Sequence, residues 1–156
     1  PGKPSRAEKS VMFDGHKLTM TIEASKVENS LYAVEVINIP KDISQKFDAN
    51  GFIKYLQTGM LSNLKNSPAP IEKTVTIKTA GQSSIDLSAK EFLIQGDGPD
   101  AKKRLLRFRI VQRQFPDGQI QIYQQSLLQT IGDEVPLEKL IQTDAHEMFF
   151  SGFKPY

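Results

Sequence analysis

KRLLRFRIVQRQFPDGQIQIYQQSLLQ, Lys103 to Gln129, is the stretch that decides the fold. It reads as two adjoining strands folded over Phe115-Pro116-Asp117-Gly118, because polarity alternates on both sides of a Pro-Asp-Gly turn signal. Leu106, Phe108 and Ile110 fall on one face of the first strand, and Arg107, Arg109 and Arg113 on the other. The partner strand sets Ile120 and Ile122 against Gln121, Tyr123 and Gln125. The apolar face of such a hairpin needs a cover. Downstream, Pro136 suits a first helical position, and Leu137, Leu140, Ile141, Ala145 and Met148 recur at helical spacing.

Upstream of the hairpin, Gly96-Asp97-Gly98-Pro99-Asp100 is a turn and Lys90 to Ile94 is expected as strand. Ile85, Leu87 and Leu93 share one register while Phe92 and Ile94 take the other, so a break or bulge is expected near Ser88. Thr74 to Thr79 alternates, with Val75 and Ile77 inward. From Asp48 to Lys65 the period becomes helical, through Ile53, Leu56, Met60, Leu61 and Leu64, with Asp48 or Asn50 as the cap. Gly51 and Gly59 weaken that helix by about 1 kcal/mol each relative to Ala, so tertiary packing has to hold it. Leu31 to Ile39 is apolar almost throughout, as a central strand would be, and Pro40 ends it. Lys17 to Ala24 alternates and meets Ser10 to Phe13 through Asp14-Gly15, a strong hairpin dipeptide. The order of strands, helix, strands, helix argues an α+β protein with an antiparallel sheet. Residues 1–156, without repeat or linker, read as a single domain.

Apolar residues make up 38% of the chain and charged residues 24%, which places it among folded globular proteins. Twenty basic against 18 acidic groups leave +2, too small a bias to make nucleic acid the expected partner. The absence of cysteine excludes disulfides, zinc-thiolate sites and thiol nucleophiles, and it tilts the reading toward an oxidising, extracytoplasmic compartment. No run of 18 apolar residues is present to span a bilayer. The opening Pro1-Gly2-Lys3-Pro4 reads as a processed chain from which a signal peptide has been removed.

Several short motifs occur in a telling order. They are Pro1-Gly2-Lys3-Pro4, the strand Leu31-Tyr32-Ala33-Val34-Glu35-Val36, the turn Gly96-Asp97-Gly98, the strand Gln121-Ile122-Tyr123-Gln124, and the closing Ala145 to Phe153. In this order they resemble the bacterial branch of the PsbP and Mog1-like family. The family's terminal helix carries an aromatic pair followed by Ser-Phe and a basic residue. Here Gly152 is inserted, giving Phe149-Phe150-Ser151-Gly152-Phe153-Lys154. The resemblance implies an antiparallel β-sheet flanked by helices, an α/β/α sandwich. It also implies export to the periplasm or cell envelope, with peripheral or lipid-anchored membrane association. Members serve in binding and assembly and bring no catalytic motif, so the implied role is non-enzymatic, without cofactor, with a protein or envelope complex as partner.

The residues themselves offer little catalytic machinery. His16 and His146 are the two histidines; neither forms the paired helical arrangement that holds zinc, and His146 reads as a partly exposed structural residue. No Gly-x-Ser-x-Gly elbow is present. Gly2-Lys3-Pro4-Ser5 lacks the upstream glycine of a phosphate loop, and Pro4 removes a backbone donor. Asp97 and Asp100 lack the remaining ligands of a calcium loop and read as turn formers, so no metal site is expected. The most noticeable charged feature is the run Lys102, Lys103, Arg104, Arg107, Arg109 and Arg113. Phe108 lies on the face opposite Arg107 and Arg109, so base stacking and phosphate contact cannot share a surface. Such a face is most simply solvated or internally paired; as a contact surface, Arg107, Arg109 and Arg113 would meet an acidic protein partner or an anionic surface. The alternative is a small-molecule or lipid carrier, or a hydrolase, with a pocket between the sheet and the helix Asp48 to Lys65 lined by Met60, Met148 and Phe149.

Overall fold

The computed structural model describes residues 3–131 and 144–155. Seven strands form one sheet: β1 (Ser5–Phe13), β2 (His16–Val27), β3 (Ser30–Ile39), β4 (Ile71–Lys78), β5 (Asp86–Asp97), β6 (Lys103–Gln114) and β7 (Ile120–Thr130). Three helices accompany them: α1 (Lys41–Ser44), α2 (Ala49–Leu61) and α3 (Asp144–Gly152). The spatial order is β1-β2-β3-β7-β6-β5-β4, and each neighbouring pair is antiparallel. Two meanders, β1 to β3 and β4 to β7, therefore join edge to edge through β3 and β7, and α1 and α2 carry the chain between them.

Turn chemistry sets the registers. Asp14 and Gly15 both take positive φ, 49° and 78°, and Phe13 pairs with His16 around them. This is the two-residue turn that matches strand twist. At the β6–β7 turn, Phe115 N donates to Gln119 O at 2.8 Å and Gly118 holds φ 95°. Asp48 caps α2 as expected, its Oδ1 accepting from Gly51 N at 3.0 Å.

The sheet has two unlike faces. Leu18, Met20, Ile37, Ile39, Leu106, Phe108, Ile110 and Ile122 pack beneath Phe52 and Leu56 of α2 to form the main core. Phe92 stacks on Phe108 with ring centroids 5.0 Å apart. The opposite face carries a second apolar cluster around Ile77, Val111 and Tyr123, and α3 lies on that side.

The expected α/β/α sandwich is corrected: this is a largely β fold, built mostly of one seven-stranded antiparallel sheet with short helices. Helix α2 stops at Leu61 instead of reaching Lys65, because Lys65 leaves the helix to bridge to Asp97 of β5. The outer strands are left bare: β1 is exposed over most of its length, as is β4. The bulge expected near Ser88 is also absent, and β5 pairs in unbroken register with both β4 and β6. Both of its registers are apolar because Phe92, Leu93 and Ile94 are buried in succession, covered on both faces. The start of the last helix, expected at Pro136 with Leu137, Leu140 and Ile141, lies outside the described residues.

The Lys65–Asp97 bridge carries a specific expectation. Lys65 N donates to Asp97 O at 2.9 Å and Asp97 N to Lys65 O at 2.8 Å, which brings the chain onto Gly96. A Cβ on Gly96 would stand 2.8 Å from Lys65 O, a backbone atom that cannot turn aside. Gly96→Ala is expected to destabilise the protein by about 1–3 kcal/mol, the range for overpacking, read from the denaturant midpoint.

Candidate functional site

Counting back in equal steps from the turn after Asp97 sets Glu91 opposite Arg109 and Leu93 opposite Arg107. β4 adds Lys73 beside Glu91. Arg107 is only 4% exposed and Glu91 only 3%. Arg107 Nε lies 3.1 Å from Glu91 Oε1 without the alignment of a hydrogen bond, while its Nη2 donates to Glu91 Oε2 at 3.3 Å. Arg109 Nε donates to the same Oε2, and Lys73 Nζ stands 3.4 Å from Oε1. One buried carboxylate thus holds two guanidinium groups and an exposed ammonium.

Helix α3 closes over this cluster. Arg107 and Arg109 lie 4.2 Å and 4.9 Å from the centre of the Phe150 ring, and Glu147 Oε1 reaches Arg107 Nη1 at 3.2 Å. Phe150 O accepts from Arg109 Nη1 at 3.2 Å, and Phe149 O from Gln125 Nε2 at 2.6 Å. These carbonyls belong to the last turn of the helix, where no intrahelical donor remains and a cation is favoured. The arginines therefore fasten the helix to the sheet.

Of the three residues expected to meet a partner, the structure brings Arg107 and Arg109 together on Glu91 and leaves Arg113 apart. Arg113 sits near the turn end of β6 with its guanidinium 4.5 Å from the Phe115 ring centre. Lys103 pairs with Asp97 at 2.9 Å and Arg104 with Asp100 at 2.9 Å. Glu91, the acid at the centre, stands beside the apolar run Phe92-Leu93-Ile94 with no catalytic or binding motif around it. Equal steps from the Asp97–Lys103 turn would have set it against Arg109.

Burial raises the Glu91 carboxyl, but hydrogen bonds from Arg109 and Arg107, together with their charge, more than offset it and hold its pKa below the ordinary value. A carboxyl depressed on folding stabilises the protein above its unfolded pKa, roughly 4.3, and that stabilisation is lost as pH falls through the lower folded value. The stability gap between the native chain and Glu91→Gln is therefore expected to be full at neutral pH and to narrow below about pH 4, measured by urea unfolding across that range.

The two histidines lie on opposite faces of the sheet. His16 faces the Phe47 ring on the α2 side, at 5.8 Å, whereas His146 faces Tyr32 on the α3 side, at 6.4 Å. His146 is 2% exposed, a correction to the partly exposed position expected for it. The Glu35 carboxyl on the α2 face is raised by burial, with Lys9 acting in the opposite sense, and it accepts from Gln124 Nε2 at 2.8 Å. Among the described residues, no group of three or more His, Cys, Asp or Glu side chains is placed to hold a metal ion. No helix among them is long and apolar enough to cross a membrane.

The pocket expected under α2 is not where Met148 and Phe149 lie. Met60 packs against the α2-side core, while Met148 and Phe149 line an open groove of about 530 Å³ on the opposite face. Its floor is Tyr32 and Val34 of β3, one wall is α3, and the other is Pro4 with Glu23, Ser25 and Val27 of β2. Tyr32 and Phe149 meet edge to face at 5.0 Å. Met148, expected on the buried stripe of the helix, is 73% exposed at the rim. A scan of family models and of curated proteins finds nothing that matches this chain.

Proposed function

We propose that the protein is a non-catalytic, extracytoplasmic binding domain of the PsbP and Mog1-like family, and that it takes an apolar ligand in the groove beside α3. The observation that carries this reading is the groove itself, about 530 Å³, walled by Val27, Tyr32, Val34, Met148 and Phe149. That volume suits a small-molecule site, and its lining is of the predominantly apolar kind such sites use. An exposed methionine at the rim of an apolar groove fits a surface that adapts to what it binds. Arg107 and Arg109, by contrast, direct their charge at Glu91 and α3. The ordered family motifs and the lack of cysteine support the placement outside the cytoplasm.

The test is a titration with Nile red, an uncharged apolar dye. The native chain is expected to saturate with one dye per molecule. Met148→Glu should weaken the dye at least about tenfold by setting a charge at the rim. It should leave stability within about 0.5 kcal/mol, because Met148 is a surface residue. Equal binding by the two proteins, or binding by neither, would overturn the reading.

A further inference from the structure

We infer that the occupant of the groove is a single acyl chain ending in a carboxylate, a fatty-acid-sized amphiphile lying along β3 with its head near Arg6. This rests on the binding reading above and adds the ligand's class and orientation. A second hollow of about 390 Å³, lined by Arg6, Thr21, Glu23, Val34, Val36, Asn38 and Phe153, adjoins the groove. The two share Val34 and Glu23. Together they make one trough whose floor follows β3 from Tyr32 to Asn38. Its inner wall is Phe149 of α3 and Phe153 just past the end of that helix.

Length and polarity select the occupant. Tyr32 and Asn38 are six residues apart on an extended strand, a run of about 20 Å. A lipid chain fills half of a hydrocarbon core roughly 30 Å thick, about 15 Å, so one chain fits with space for a head group. The Tyr32 end is apolar on floor and wall. Past the seam the second hollow is polar: Thr21 and Asn38 lie further along it, and Arg6, level with Glu23 in the strand register, lines this hollow and not the first. Asn38 Oδ1 already accepts from Gln121 Nε2 at 2.8 Å, which leaves the Asn38 amide hydrogens to donate. Arg6 forms no ion pair with any described residue, although Glu23 is its cross-strand partner. Among the described lining residues Glu23 is the carboxylate, exposed at the seam of the two hollows; it faces both of them whereas Arg6 beside it faces the second alone, so an anionic head is drawn to the Thr21 and Asn38 side of the seam.

Titration of the whole chain with cis-parinaric acid, a fluorescent fatty acid, and with the corresponding alcohol tests this. The acid is expected to bind one to one and about tenfold tighter than the alcohol. Arg6→Gln should remove that preference without weakening the alcohol, and Glu23→Gln should strengthen the acid alone. Met148→Glu should weaken both. Equal affinities for acid and alcohol in the native chain would overturn the inference, as would an acid preference untouched by Arg6→Gln. Nile red bound at the groove with no binding of the acid would sink the acyl ligand while the apolar-binding reading stands; failure of dye and acid together would remove both. A dimer in size-exclusion chromatography with light scattering that dissociates on Met148→Glu would give the groove to a second copy of the chain and likewise overturn the acyl ligand.

Discussion

Replacing Glu91 by Gln is expected to destabilise the protein by about 3–5 kcal/mol, the cost of removing one partner from a buried ion cluster. Gln is nearly the same size, so packing changes little and the effect is electrostatic. Arg107 is 4% exposed and would keep a desolvated charge, with Glu147 at 3.2 Å as its remaining acid among the described residues. For a chain of this length each kcal/mol moves the melting temperature by about 2–4 °C, so thermal denaturation should show a fall on the order of 10 °C. The triple change Glu91→Leu, Arg107→Leu and Arg109→Met should recover much of the loss, because a buried ion cluster and an apolar replacement of similar volume are often close in stability. A Glu91→Gln protein within about 1 kcal/mol of the native chain would show that the cluster is not desolvated as described.

Phe150→Ala is the second large effect, about 3–5 kcal/mol for truncation of a buried aromatic ring. Phe150 is 2% exposed and lies against both guanidinium groups, with Phe149 5.1 Å away. Its loss opens a cavity where the helix meets the charge cluster. The consequence should be uneven. The central strands β6 and β7 keep their ladders, while α3 loses its largest contact, so hydrogen exchange should accelerate in α3 well beyond β6 and β7. Since α3 forms one wall of the groove, Nile red binding should fall in parallel. Unchanged protection of the α3 amides in Phe150→Ala would show that the hydrogen bonds from Arg109 and Gln125 hold the helix without the ring.

Much of the strand pattern was legible because its signals are local. Asp14-Gly15 and Phe115 to Gly118 mark turns through their own backbone preferences, and period-two alternation around them places Leu106, Phe108 and Ile110 on the core side. The cap at Asp48 is local in the same way. The misreadings share a different cause. The double apolar register of β5 looked like a bulge, but it reflects cover on both faces, and cover comes from elsewhere in the chain. Helix α2 ended early because Lys65 has a strand partner in Asp97, a contact across 32 residues that no helical period reports.

The candidate site was less legible than the fold. The alternation of Arg107, Arg109 and Arg113 with apolar residues gave a polar face, and a polar face facing water has the same pattern as one facing a helix. Met148 fell on the apolar stripe by spacing yet stands 73% exposed at the groove rim, whereas His146 is buried.

The sequence by itself determined the strands, the hairpin turns between them and the alternation that gives the sheet an apolar side, because dihedral preference and side-chain period act within a few residues. Tertiary structure alone decided that β3 pairs with β7, that α3 encloses the arginines on Glu91, and that an apolar groove opens beside it. Burial depends on what lies above a face, and the residues that supply that cover are distant in the chain from those they cover.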